Sequence, residues 1–415
     1  MSEIGFVDTT LRDGQASLWA EHMRTDMMLS VTSQMENAGF YAIELIAGSH
    51  FKKCVRELHE DPWERIRLVA QQIKKTPLRA VGAYKIDVFA LTPDSVGKLW
   101  LERLAANGIR QIRISDPAND PAEWRKSVHY ARLAGLEPIL NLIFSVAPKY
   151  TDDYYATKAH EAAMLEVPGI CLKDPGGLLT PERTRTLTKV ISENAKGITL
   201  EIHSHCTTGL APICYLEAVK MGVKIVDTAI PPLSNASSLP SVFNVVNNLK
   251  AMGYKTIISD EALRPVSEQL TSIAKREGLP LGSPVEYDYY QYLHQIPGGM
   301  ISNLRHQLSK VRMEHRLKDV LEEAIRVRAE MGYPIMVTPF SQFVGTQAAI
   351  NIMQGKRYEK VSDQVIQYAL GFWSEEAASS MDPDIKDKIL SRPQAQKLSK
   401  WKPPETTIQE IRSQL

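Results

Sequence analysis

Two histidines one residue apart, in Glu201-Ile-His-Ser-His, close a short apolar run. Alternate residues of an extended chain point to the same side, so His203 and His205 can face one ion. A plain pair of loop histidines is the competing reading. Asp13, in Thr10-Leu-Arg-Asp-Gly just after the first apolar run, offers a carboxylate to the same place, or is an ordinary acid at a helix N-terminus. Lys173 opens Lys-Asp-Pro-Gly-Gly-Leu after another such run. A lysine there is a Schiff-base nucleophile, a charge partner or, once carbamylated by CO₂, an anionic metal ligand. Residue type alone leaves these open, with a salt-bridging lysine as the default. Together Asp13, Lys173, His203 and His205 fill a four- or five-coordinate site, and this donor set suits Zn²⁺, Mn²⁺ or Co²⁺ rather than Ca²⁺.

Residues so far apart in sequence need a scaffold that gathers them. Short apolar, β-branched runs recur at Ile4–Val7, Tyr41–Ile46, Leu78–Val81, Ile109–Ile114, Pro138–Ile143, Gly169–Leu172, Ile198–Ile202 and Ile225–Ile230. Between them lie segments with helical apolar spacing, such as Met27–Ala38, Pro62–Ile73 and Val96–Ala106. About eight repeats of roughly 30 residues predict an α/β fold, a (β/α)₈ TIM barrel over residues 1–285. An open doubly wound sheet is the competitor, but no Gly-x-Gly-x-x-Gly follows the first run. In such a barrel the catalytic groups sit where strands end, which is where Asp13, Lys173 and the histidines fall. Residues 286–415 read as a helical C-terminal domain that docks a carrier and completes the active site. From Asp382 the polar, Lys/Pro-rich stretch reads as an exposed tail or a partner-contacting helix.

The 415 residues carry 49 Lys+Arg against 48 Asp+Glu. That balance speaks against a nucleic-acid binder, which needs a basic excess, and against an acidic disordered chain. Four cysteines without paired spacing exclude a disulfide framework and a cysteine-ligated zinc site. No run approaches the roughly 20 apolar residues of a membrane span, and the N-terminus turns polar too early for a signal peptide. A cytoplasmic small-molecule enzyme is the expectation.

The chain resembles the carboxyltransferase of biotin-dependent enzymes: the oxaloacetate decarboxylase alpha subunit, transcarboxylase and pyruvate carboxylase. The resemblance rests on Asp8-Thr-Thr-Leu-Arg-Asp-Gly, Glu60-Asp-Pro-Trp-Glu-Arg, Lys173-Asp-Pro-Gly-Gly-Leu-Leu and His203-Ser-His-Cys-Thr-Thr-Gly. It rests as well on Ile296-Pro-Gly-Gly-Met-Ile-Ser-Asn-Leu and Val337-Thr-Pro-Phe-Ser-Gln-Phe-Val-Gly-Thr-Gln. These last two separate the biotin-dependent branch from metal-dependent lyases and Claisen-type synthases on the same barrel. The resemblance implies that Asp13, His203, His205 and a carbamate on Lys173 hold a divalent metal. It implies that Thr338 passes a proton between the substrate's methyl group and biotin, although by itself that residue reads as a turn or cap before Pro339. Arg12 would stabilise an enolate oxyanion, Glu44 would orient that arginine, and Asp116 and Asn119 would support the substrate side, with structural capping as their competing reading.

Two departures concern the substrate. The family's Arg-Asp-Ala-His-Gln-Ser becomes Arg12-Asp13-Gly14-Gln15-Ala16-Ser17, so the glutamine moves back to Gln15. Its Leu-Leu-Arg-Gly-Gln-Asn becomes Leu78-Arg-Ala-Val-Gly-Ala-Tyr-Lys, where Gly82 or Ala83 replaces the carboxylate-gripping arginine and Lys85 is the candidate substitute. An acceptor other than pyruvate follows as the expectation. A pyruvate enzyme with a rebuilt clamp, a biotin-independent lyase or aldolase acting on a 2-oxo acid, and a non-catalytic scaffold are the alternatives. No Ala-Met-Lys-Met-type segment is present, so biotin is expected on a separate carrier protein or subunit, loaded by a biotin carboxylase. A homodimer, with the Lys-rich tail meeting an acidic carrier, completes the expectation.

Overall fold

A computed structural model describes residues 3–83, 92–401 and 405–413, without the side chains of residues 298, 299, 302, 303, 306 and 307. Eight parallel strands, β1 Gly5–Asp8, β2 Ala42–Ala47, β3 Leu78–Gly82, β4 Gln111–Ile114, β5 Glu137–Ile143, β6 Gly169–Asp174, β7 Thr199–Ser204 and β8 Ile225–Thr228, close into a barrel in sequence order. Gly5 to Asp8 pair with Ile225 to Thr228 to seal the ring. The strands run through Lys173 and His203 rather than stopping before them, because each residue pairs with the other in the β6–β7 ladder.

Outward-facing residues such as Phe6, Ile43, Ala80, Ile112, Leu140, Ile170, Ile202 and Val226 join the core that the surrounding helices cover. Several of those helices start at a polar N-cap, and three of these follow the cap with proline: Asp61-Pro62, Asp120-Pro121 and Thr180-Pro181. The cap oxygen takes an orphan N–H, and the proline ring presets φ where no N–H is needed. The expected helix Met27–Ala38 is instead two short ones, Thr25–Leu29 and Thr32–Met35, parted by Val31 at φ −127°.

Inside the barrel Val7, Ala42 and Ile225 form a small apolar cluster. Above it the inward positions carry Arg79, Arg113, Glu44, Glu201 and Asp227, all buried. Arg79 on β3 meets Glu201 on β7 at 2.9 Å, and Arg113 on β4 meets Glu44 at 3.0 Å, Glu201 at 2.5 Å and Asp227. These contacts span the barrel, so the interior is an ion-pair lattice and not the usual stack of branched aliphatics.

Beyond the barrel a second apolar cluster gathers Ile296, Leu304, Val327, Phe340, Phe343, Tyr368 and Trp373. The stretch from Asp382 is no free tail: Pro383–Leu390 and Pro393–Leu398 are helices, and Ile389 and Ala395 are buried in this second core. The two parts interlock, since Ile335 and Val337 pack on the barrel core instead. All four cysteines are free and buried. Among the described residues no helix is long and apolar enough to cross a membrane.

Candidate functional site

After β1 the backbone makes a single wide turn, Thr10–Gly14, that is buried throughout. This turn presents Arg12 and Asp13 side by side at the strand's C-terminal end. Asp13, His203 and His205 place one ligand atom each within 4.8 Å of one another. His203 Nε2 lies 3.3 Å from Asp13 Oδ2 and His205 Nε2 lies 3.5 Å from Asp13 Oδ1, while the two Nε2 atoms are 3.3 Å apart.

The outer partners fix both rings. His203 Nδ1 donates to Asp227 Oδ2 at 2.7 Å, and His205 Nδ1 donates to the Ser237 carbonyl at 2.6 Å. With Nδ1 carrying the proton, each Nε2 turns a lone pair toward the other and toward a carboxylate. Such a convergence of electron-rich atoms is repulsive by itself and is relieved by a cation at its centre. Imidazoles braced by a carboxylate and a carbonyl are the usual outer arrangement of a metal site. The donor set thus fits a divalent ion of the zinc or manganese kind.

Arg12 is locked rather than free. Its Nε and Nη2 donate to Glu44 Oε2 at 3.0 and 2.6 Å, and its Nη1 lies 2.7 Å from Asp13 Oδ2. Burial alone would raise the Asp13 carboxyl, but Arg12 and the imidazoles outweigh it and hold Asp13 well below the usual carboxylate range. Lys173 is buried beside His203. Burial first, then Arg12, lowers its pKa below the ordinary lysine value.

The loops after β6 and β7 need their glycines for close approach. A Cβ on Gly177, at φ +63°, would collide with Thr207 Oγ1 and stand 2.5 Å from the His205 carbonyl. Thr207 and Thr208 hydroxyls donate to the carbonyls of Gly176 and Gly177, both at 2.5 Å. Asp174 accepts from Leu178 N, Leu179 N and Ser204 Oγ. The Lys-Asp-Pro-Gly-Gly motif therefore ties the lysine strand to the histidine strand.

Other sequence-derived residues are placed differently. Asp116 is buried and its Oδ1 accepts the N–H groups of Ala118 and Asp120, the work of a turn. Asn119 clamps the end of β5 through both the N–H and the carbonyl of Ile143. Gln15 is fully buried; its Oε1 accepts from Met23 N at 3.4 Å and its Nε2 has no partner among the described residues. Lys85 lies outside the described residues. Gly82 ends β3 at φ +154°, and a side chain there would press on the Trp100 ring at 3.2 Å. Thr338 is exposed, one residue beyond the Ile335–Val337 stretch that packs on the barrel core.

Sequence reasoning missed Arg113, Glu201 and Asp227, and also Ser17, whose hydroxyl donates to Asp13 Oδ1 at 3.0 Å. Gln-Ile-Arg-Ile and Glu-Ile-His-Ser-His do carry a signal: charged residues at every second place in a strand whose outer face is covered.

Comparison with known proteins places these features in a family. A family model described as HMGL-like matches residues 3–270, and one described as a conserved carboxylase domain matches residues 292–413. A pyruvate carboxylase subunit of Methanocaldococcus jannaschii is 34% identical over 390 residues, covering 93% of this chain and 68% of that one. The 2-oxoglutarate carboxylase large subunit of Hydrogenobacter thermophilus is 30% identical over 390 residues, 94% of this chain and 60% of that protein. The carboxyl transferase domain of Rhizobium etli pyruvate carboxylase, solved with pyruvate, superposes with a TM-score of 0.87 at 26% identity, covering 94% of this chain and 68% of that chain.

Proposed function

The chain belongs to the biotin-dependent carboxyltransferases of pyruvate carboxylase type, and on that premise we propose that it moves a carboxyl group between carboxybiotin on a separate carrier and a 2-oxo acid at a metal-dependent site. The convergence of Asp13, His203 and His205 beneath Arg12 carries this reading. The match over residues 292–413 favours it above a biotin-independent lyase.

Asp13, His203, His205 and Lys173 as its carbamate would hold the ion. A bound divalent metal would polarise the substrate's oxo group. Carbamate formation requires an uncharged amine, and burial, then Arg12, lowers the Lys173 pKa below the ordinary lysine value. Arg12, braced by Glu44, would donate to the enolate oxygen as its charge develops. Thr338 would pass a proton between the substrate carbon and the biotin ring, its hydroxyl donating on one side as it accepts on the other. Biotin would supply the transferable carboxyl group. Residues 1–285 would form the catalytic barrel, and residues 286–415 would dock the carrier and complete the site.

Incubation of the metal-loaded protein with carboxybiotin and a panel of 2-oxo acids should give carboxylate exchange with at least one of them. No exchange with any acid, against cleavage of a 4-carboxy-2-oxo acid without biotin, would overturn the reading in favour of a lyase.

Metal content tests the ligand set. His203→Ala should lose most of its bound metal after dialysis, whereas Asp227→Asn, which frees the ring without deleting a ligand, should weaken metal binding by about 10- to 100-fold. Unchanged occupancy in His203→Ala, measured by elemental analysis, would remove that residue from the set.

A further inference from the structure

Arg328, near the end of the helix Leu317–Glu330, is buried, and among the described residues it has no carboxylate partner. Its guanidinium reaches neutral acceptors: Nε donates to the Pro334 carbonyl at 3.2 Å, and Nη2 to Ser145 Oγ at 3.0 Å and the Val146 carbonyl at 3.1 Å. Burial lowers its pKa to about 10. A desolvated charge without a counter-ion is costly, so its contacts point to a geometry that the fold must hold.

That geometry is a strap. Three successive carbonyls, of Gly332, Tyr333 and Pro334, each receive one side-chain donor: Lys149 Nζ at 2.6 Å, Tyr150 Oη at 2.7 Å and Arg328 Nε. Lys149 and Tyr150 lie on the loop that leaves β5 at the mouth of the barrel, and Arg328 reaches back to Ser145 and Val146 of that loop. Gln295 ties in as well, donating from Nε2 to the Val146 carbonyl at 2.8 Å and accepting from Ser145 Oγ at 3.3 Å. Immediately after the strapped carbonyls, Ile335 and Val337 seat on the barrel core, and the next residue is Thr338.

We propose that Arg328, with Lys149 and Tyr150, is a positioning residue that sets Thr338 at the barrel mouth by fixing the backbone of residues 332–334 to the β5 loop. This rests on the reading of Thr338 as the proton-passing group. A hydroxyl that must sit between two reacting atoms tolerates little displacement; an error of about 1 Å costs on the order of 100-fold. Thr338 makes no side-chain hydrogen bond of its own among the described residues, so its place is set by the backbone that carries it.

The test is a mutant cycle on the metal-loaded full chain, using free biotin and the best acid of the 2-oxo acid panel. Arg328→Lys keeps the charge but cannot span three acceptors. It should lower kcat by about 10- to 100-fold while KM for the acid and metal content stay at parental values. In a Thr338→Ala background the same change should add nothing, because the group it positions is already gone. Should Arg328→Lys fold poorly, Lys149→Met with Tyr150→Phe opens the strap from the other side and should show the same kcat loss and the same silence in Thr338→Ala. Amide exchange of Val337 and Ser341 should quicken in either variant while strand amides do not. Parental kcat in Arg328→Lys, or losses that multiply in the double variant, overturn the positioning role. Normal turnover by Thr338→Ala would overturn instead the reading on which it rests.

Discussion

Thr338→Ala is expected to remove most of the carboxyl transfer while leaving the protein folded and metal-loaded. A neutral hydroxyl is a poor base, so its contribution is as a relay that takes a proton on one side as it gives one on the other; removal of such a group costs about 10²- to 10⁴-fold in rate. The change should fall on kcat, with KM for the oxo acid nearly unaltered, because Thr338 binds neither the oxo group nor the carboxylate in this scheme. Stability should move by no more than about 0.5 kcal/mol, since the side chain is exposed and buries little. Thr338→Ser retains the hydroxyl and should keep most of the activity. Steady-state kinetics with elemental analysis decide the matter: normal turnover by the alanine variant excludes the relay, and loss of metal alongside activity would make the effect structural.

Arg113→Met should be the most destabilising single change in the barrel. The arginine is buried and pairs with Glu44, Glu201 and Asp227. Deleting it leaves Glu44 to Arg12 alone and Glu201 to Arg79 alone, and strips Asp227 of its arginine, a loss of about 3–5 kcal/mol. A second effect follows through Asp227, which holds His203 Nδ1: without Arg113 that carboxylate shifts and metal affinity falls. The pH dependence has a definite sign. Burial alone would raise the carboxyls of Glu44 and Asp227, but Arg113, together with Arg12 at Glu44 and His203 at Asp227, outweighs it and holds both below their usual values. In the parent their contribution is thus present above the unfolded carboxylate pKa and is lost as pH falls through the folded one. In Arg113→Met burial raises Asp227, which has lost its arginine, while Arg12 still faces Glu44, so the variant is penalised as pH rises. The stability gap, read from denaturant midpoints, should narrow from pH 8 to pH 5. A constant gap would mean that the loss is one of packing, and a second change, Asp227→Asn, should then fail to recover any of it.

Local pattern was enough for much of this protein. Apolar runs of strand length alternating with helical spacing determined an eightfold barrel, because burial on both strand faces and right-handed crossovers leave few other ways to pack such a chain. His203-Ser-His205 determined that two imidazoles share a side, which is a property of any extended backbone. The motifs around Asp13, Lys173, Pro297 and Thr338 determined the family. Element ends were less legible: Lys173 and His203 lie within their strands because the β6–β7 ladder continues past the apolar run that marks them.

Only the tertiary structure decided which charges belong together. Arg113 and Asp227 are 114 residues apart and Arg79 and Glu201 are 122 apart, and no periodicity within a segment relates residues on opposite walls of a closed sheet. The helix that Met27–Ala38 would have formed breaks where Val31 turns toward the core. The polar stretch after Asp382 reads as solvated because one helical face of small and branched residues is too sparse to stand out, yet the second core takes up Ile389 and Ala395. In sequence Asp116 reads as substrate support or as a cap and Gln15 as a substrate contact; in the fold Asp116 Oδ1 holds a turn and Gln15 is enclosed. Burial and ion pairing are set by what faces a residue across space, and that is settled only when the ring closes.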